Sequence, residues 1–292
     1  MPELPEVETV SRGLARLLVG KIITDVQLVW AKSFPLVDQD RQRHLLGSEI
    51  VSVSRRAKLI LIDLSSHYSL VIHLKMTGQL VFRGHNVRFG AGHPSDSLIG
   101  NLPDKSTRVI FEFSDSSKLF FNDQRKFGWL KLLPTREVGE LDFFKKLGPE
   151  PLAVDFSWQE MKRCLERRKR SPIKVALIDQ TVIAGVGNIY ADESLWSAKI
   201  HPKTLVDQLS DYHIKQLHKS LRAILRLSIR KGGSTDRNYV NAEGKKGGYL
   251  VFAKVFRRSG QNCPRCGGVI IKIRLGGRGT HLCPVCQKQS LL

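Results

Sequence analysis

The chain lacks any run near the ~18 consecutive apolar residues that a membrane helix needs. Its apolar stretches, such as Leu59-Ile60-Leu61-Ile62, are strand-sized. It also lacks an N-terminal basic region followed by an apolar one, so the expectation is a cytosolic protein with no secretory signal and no membrane span. Acidic residues are scarce: 27 against 47 Lys and Arg, a net charge of +20. Cysteines number five, and four of them lie between residues 263 and 286. Internal repeats and low-complexity tracts are absent. What is present is an ordinary globular composition, 41% hydrophobic and 25% charged, which excludes a disordered chain. The 292 residues suit about two domains.

The positive charge is uneven. Residues 1–135 carry +5 and residues 136–292 carry +15. A basic half of this kind suits a polyanion, most simply nucleic acid, whose binding is driven by counterion release. A solvated basic surface and an anionic membrane surface would give the same count.

Residues 4–18 place Val7, Val10, Leu14 and Leu17 at helical spacing, with Pro5 and Glu6 in the first turn and Gly20 as the stop. From Ile22 to Leu133 the pattern turns to short strands: Ile50–Val53, Leu59–Leu64, Leu70–Leu74, Arg108–Phe113 and Lys118–Phe121. Many short strands between turn signals predict a sandwich or barrel. Residues 84–105, rich in Gly, Pro, Asp and Ser, read as a long surface loop. The stretch 147–151, LGPEP, marks a boundary. Helices are predicted beyond it over Trp158–Arg170, Pro172–Asp179, Gly187–Ala198 and Leu209–Lys231.

Four constellations carry chemistry. Cys263-Pro-Arg-Cys266 and Cys283-Pro-Val-Cys286, with sixteen residues between the pairs, match a four-thiolate zinc site. Val269–Arg274 and Thr280–Leu282 form the expected hairpin between them. Such a site leaves no open position, so the zinc is structural; two disulfides are the alternative. Cys164 is left over. Gly185-Val186-Gly187-Asn188 permits a tight turn before a helix. Backbone N–H groups there, with Asn188, suit a phosphate; a plain helix corner fits as well. The extreme N-terminus, Pro2-Glu3-Leu4-Pro5-Glu6, offers a secondary amine once Met1 is removed. That amine can attack a sugar C1′ and become an iminium, with Glu3 and Glu6 beside it to move protons. An ordinary acidic helix start has the same sequence. Finally, residues 73–78, HLKMTG, and 123–128, DQRKFG, set Met76, Arg125 and Phe127 beside turn glycines. Such groups are inserted into a base stack when a nucleotide is flipped out. Core residues are the competing reading.

Taken in order along the chain, these motifs resemble the formamidopyrimidine-DNA glycosylase family, bacterial enzymes that excise oxidised purines. The resemblance spans essentially the whole length. It rests on PELPEVETV at 2–10, RRAK at 55–58, HLKMTG at 73–78, RKFG at 125–128, LGPEPL at 147–152, AGVGNIYADESLW at 184–196, GGST at 232–235 and the terminal cysteines. It implies an α+β fold of two domains: an N-terminal helix with a β-sandwich, then a helical helix-two-turn-helix domain ending in a zinc β-hairpin. The implied segments are a catalytic domain over 1–134, a linker over 135–150, a DNA-binding domain over 151–231, a lesion-recognition segment over 232–258 and a zinc finger over 259–292. The implied partner is double-stranded DNA with an oxidised purine, met by a monomer in the bacterial cytosol.

The resemblance also implies site residues. Pro2 is the nucleophile, Glu3 the proton-transfer carboxylate and Glu6 its support. Lys58 contacts phosphate and assists β-elimination, and Arg278 binds the lesion's phosphates and assists δ-elimination. Met76, Arg125 and Phe127 fill the void left by the flipped nucleotide. Ser106, Arg170, Lys174, Asn188 and Tyr190 contact DNA, and Arg237 lies in the lesion loop. One structural Zn²⁺ sits on Cys263, Cys266, Cys283 and Cys286. Ser106 departs from the usual histidine of the family, and Gln124 from a common proline. The rival class is a catalytically silent nucleic-acid binder. The Pro2-Glu3 start separates the two, since a pure binder has no use for it.

Overall fold

The amphipathic N-terminal stretch forms α1, Leu4–Leu18, with Leu4, Val7, Val10 and Leu14 buried along one face. The computed structural model describes residues 2–92, 96–98, 100–234 and 248–289. The chain divides into two units. The first comprises Met1–Lys145 and Lys231–Gly248; the second comprises Lys146–Arg230 and Tyr249–Leu292.

In the first unit α1 is followed, among the described residues, by nine strands: β1 Ile23–Leu28, β2 Ile50–Arg56, β3 Leu59–Leu64, β4 Tyr68–His73, β5 Gly78–Arg83, β6 Arg88–Gly92, β7 Thr107–Phe113, β8 Lys118–Asp123 and β9 Trp129–Pro134. They form two antiparallel sheets, ordered β1-β7-β8-β5-β6 and β2-β3-β4-β9. Ile60, Ile62 and Ile72 of one sheet and Leu80, Phe111 and Phe121 of the other share one core with Val7, Val10 and Leu14. This is the sandwich arrangement, with inward residues alternating along each strand. The helix packs on β2 and β6, an edge strand of each sheet, and so covers edges that would otherwise be open to pairing.

The predicted loop 84–105 is corrected here, because β6 lies inside it. Its sequence, RFGAG, has low strand propensity. Phe89 and Ala91 are nonetheless buried in the main core, so tertiary packing selects the strand.

In the second unit the longer helices among the described residues are α2 Trp158–Glu166, α3 Ile173–Ile178, α4 Asn188–Ser197 and α5 Asp211–Arg230, and a single turn follows at Tyr249–Phe252. All four predicted helices exist, with α2 ending one turn early. Their core includes Met161, Leu177, Leu195 and Leu221. Strands β10, Ile271–Leu275, and β11, Arg278–Leu282, pair as a hairpin. Gly276 and Gly277, both at positive φ, make its two-residue turn. The predicted strands were shifted by up to two residues at either end of this turn.

Candidate active site and nucleic-acid interface

In the first unit the N-terminus of α1 is held by two buried carboxylates. Glu3 is the N-cap, and its backbone N–H donates to Glu6 Oε2 at 2.9 Å. The Ser234 N–H donates to Glu6 Oε1 at 2.6 Å, which fastens the start of the 232–258 segment to the same turn. Pro2, half-buried, precedes this clasp. Lys58 is buried just before β3, after Ala57, whose φ of 53° lies in the left-handed region. Burial, then the charges of Lys75 and Lys58, push the His73 pKa down to about 3. His73 therefore stays neutral, and its Nδ1 accepts the Lys75 N–H at 3.0 Å. Burial works to raise the Glu8 carboxyl, but Arg55 at 2.7 Å and Arg12 hold it below its usual value.

Two adjacent turns of this unit carry Met76 and the pair Arg125 and Phe127. Met76 is 39% exposed and Phe127 52%, so neither belongs to the core. The Arg125 guanidinium lies 4.7 Å from the Phe127 ring centroid, a cation–π distance.

In the second unit Arg278 is exposed at the first position after the hairpin turn. The neighbouring Gly279 carbonyl accepts from Asn188 Nδ2 at 3.0 Å and from Lys174 Nζ at 3.2 Å. Lys174 also donates to Thr280 Oγ1 at 2.7 Å and pairs with Asp192 at 2.5 Å. Asp192 in turn accepts the His281 N–H at 2.9 Å. The α3 and α4 helices thus grip the hairpin through one buried charge pair. Breaking such a pair from one side leaves an uncompensated buried charge. Asp192→Asn is expected to cost about 3–5 kcal/mol in a denaturant titration of the intact protein. A loss below about 1 kcal/mol would show that the pair holds little.

Three of the expected DNA contacts have buried side chains. Lys174 is enclosed with its charge committed to Asp192. The Tyr190 ring is fully buried and its hydroxyl meets Ser228 at 2.6 Å. The Ser106 hydroxyl is buried against Asp104 at 2.6 Å and Ser97 at 3.1 Å. Arg170 is exposed, at the end of the exposed cationic run Arg167–Arg170. Asn188 spends one amide N–H on Gly279 and has a second to give. Arg237 lies outside the described residues.

The four expected metal ligands come together. The Sγ atoms of Cys263, Cys266, Cys283 and Cys286 all lie within 4.8 Å of one another. Cys266 and Cys283 are 3.5 Å apart and Cys263 and Cys286 3.8 Å, too far for a disulfide. A tetrahedral zinc with ~2.3 Å Zn–S bonds has S···S edges of about 3.8 Å, so the donor set fits one structural Zn²⁺. Trp196 Nε1–H donates to Cys263 Sγ at 3.4 Å, which is the support outside the ligand shell expected of such a site.

Three buried carboxylates that gather hydrogen bonds within their own units were not singled out from the sequence: Asp123 in the first, Asp192 and Glu193 in the second. Glu193 accepts backbone N–H groups of Lys254, Val255 and Phe256 at 2.8–2.9 Å, anchoring the chain ahead of the first cysteine pair. Burial raises its carboxyl against the pull of those three donors. The only sequence signal was the position of each within or beside a quoted motif.

Known proteins place this geometry in a family. The Formamidopyrimidine-DNA glycosylase N-terminal domain matches residues 1–130, its H2TH domain residues 147–239, and the zinc finger found in FPG and IleRS residues 260–289. The Formamidopyrimidine-DNA glycosylase of Streptococcus pneumoniae is 40% identical over 291 residues, covering 99% of this chain and 100% of its own. That of Streptococcus pyogenes is 42% identical over 293 residues, covering 99% of each. A Lactococcus lactis FPG mutant solved with Fapy-dG-containing DNA superposes with a TM-score of 0.86 at 35% identity, covering 99% of this chain and 100% of that one. The Lactococcus lactis Fpg solved with abasic-site DNA gives a TM-score of 0.86 at 35% identity, over 98% of this chain and 100% of that one. The chain belongs to the formamidopyrimidine-DNA glycosylase family.

Proposed function

We propose that the protein removes oxidised purines, 8-oxoguanine and formamidopyrimidines, from double-stranded DNA and then cuts the strand at the abasic site. The observation that carries this reading is the intact Pro2-Glu3 start, set on a helix turn clasped by Glu6. With Met1 removed, the Pro2 nitrogen is a secondary amine. Its lone pair attacks C1′ while the glycosidic electron pair leaves with the base, which takes up a proton. Sugar ring opening gives the iminium, and Glu3 moves protons at O4′ and the amine. The iminium acidifies C2′–H; loss of that proton expels the 3′ phosphate, with Lys58 assisting. A second elimination expels the 5′ phosphate, with Arg278 assisting. Water then frees Pro2.

The +20 charge supports a polyanionic partner. Arg170 and Asn188 are assigned to backbone phosphate, and Met76, Arg125 and Phe127 to the void in the stack. Arg237 is assigned to the lesion loop. The zinc supplies folding energy to the hairpin that bears Arg278 and takes no part in the chemistry. The domain limits proposed from the sequence, a monomeric state and a cytosolic location belong to the same reading. No helix among the described residues is long and apolar enough to cross a membrane.

Borohydride trapping with a labelled duplex carrying 8-oxoguanine opposite cytosine tests the proposal. A covalent adduct mapped to the peptide beginning at Pro2 is expected. Tight, salt-dependent binding with no adduct, in protein shown to begin at Pro2, would favour the silent binder.

A further inference from the structure

We infer that Asp123 is the residue that sets the geometry of both insertion turns at once. It is the last residue of β8, and Gly78, the first of β5, is its partner across the sheet. The turn carrying Met76 enters β5, and the turn carrying Arg125 and Phe127 leaves β8, so both lie at the same end of neighbouring strands. The Asp123 side chain is fully buried between them. Its Oδ2 accepts the Phe127 N–H at 2.7 Å and the Gly128 N–H at 2.6 Å. Its Oδ1 accepts the Arg125 N–H at 3.2 Å and the Thr77 hydroxyl. Thr77 Oγ1 accepts the same Arg125 N–H at 3.1 Å, closing a link from the residue after Met76 to the backbone of Arg125.

The rest of the turn is fixed around this carboxylate. A Cβ at Gly128 would stand 2.7 Å from the Phe121 ring and 3.1 Å from Asp123 Oδ2, so only glycine lets the backbone come this close. Arg108 Nε donates to the Asp123 carbonyl at 2.8 Å. Lys126, at a φ of 58°, lays its ammonium 3.8 Å from the Trp30 ring centroid. Met76 and Phe127 are exposed, and Arg125 lies against the Phe127 ring. The bonds that hold the backbone carrying Arg125 and Phe127 converge on one charge. Hydrogen bonds to a carboxylate are roughly twice as strong as neutral ones. Turns held this way before DNA arrives lose less freedom on insertion.

This assignment rests on the void-filling role proposed above, and it predicts a split between two reactions. Excision from a duplex needs the base everted and the void filled. Elimination at a preformed abasic site in a single strand has no partner strand and no void to fill. Asp123→Asn keeps the shape but turns one acceptor oxygen into an NH₂ that faces N–H donors. The full-length variant is expected to lose about 10–100-fold in 8-oxoguanine excision, the scale of a misplacement near 1 Å. Its single-strand lyase rate should stay within about two-fold of wild type, a split that generally lost structure would not give. Thr77→Val should shift the same ratio in the same direction, and Thr77→Ser should restore it. If Asp123→Asn fails to fold, the Thr77 pair decides the matter by that ratio. Parallel loss of both activities, or excision unchanged in Asp123→Asn and Thr77→Val, overturns the assignment. A wild-type protein inert on both substrates overturns the glycosylase reading and this assignment with it.

Discussion

Glu3→Gln is expected to lower 8-oxoguanine excision by about 10²–10⁴-fold, the usual contribution of a positioned proton-transfer group. The same change should leave folding almost untouched. Glu3 caps α1 in a reciprocal box with Glu6, and glutamine keeps a carbonyl to accept the N–H of the first turn. The bond from the Glu3 backbone N–H to Glu6 does not involve the altered side chain. Glu6→Gln should behave differently. Its two oxygens receive separate backbone N–H groups, from Glu3 and from Ser234. An amide offers only one acceptor oxygen, so one buried donor would face an NH₂, at a cost of about 1–3 kcal/mol. Single-turnover excision and thermal melting, run on both variants, separate the roles. A Glu3→Gln protein that melts as early as Glu6→Gln and loses no more activity would make Glu3 a cap and nothing else.

The contrast between these neighbours shows how far the sequence could be read. Helix α1 and strand β3 were legible to the residue, because period and end signals agree there. Strand β6 was not, because its glycines argue for a loop while Phe89 and Ala91 are bought into the core by partners distant in sequence. The cysteine ligands were legible because spacing alone brings paired thiolates to one ion. Lys174, Tyr190 and Ser106 are expected DNA contacts from motif position, and their burial is not visible in the motif. Asp123, Asp192 and Glu193 were hidden for the converse reason. In a sequence a carboxylate that gathers N–H groups inside the protein looks the same as one that faces water.

Removing the zinc should have the second large effect. The hairpin has little else to fold around. Its core is Trp196, Val255, Cys263, Ile270 and Cys283, and most of β10 is exposed. A core this small does not repay chain entropy unaided, whereas structural zinc supplies about 10–16 kcal/mol in isolated finger peptides. The hairpin is also gripped from α3 and α4 at Gly279 and His281, so its loss leaves the buried Lys174–Asp192 pair without its other partners. Cys266→Ser, or a strong chelator, is expected to abolish stoichiometric zinc and to weaken lesion-DNA binding by at least about tenfold, since Arg278 is then held on no fixed strand. Trp196 provides the local reporter. Its indole N–H meets Cys263 Sγ and its ring lies 3.9 Å from the Arg265 guanidinium, so opening of the finger should shift its emission to the red. A Trp196→Phe control isolates that signal from the chain's other three tryptophans. The sandwich of the first unit has its own core and should keep its unfolding transition. A Cys266→Ser protein that binds lesion DNA as tightly as wild type would mean that the finger, folded or not, contributes nothing to holding DNA, and Arg278 would lose its phosphate contact.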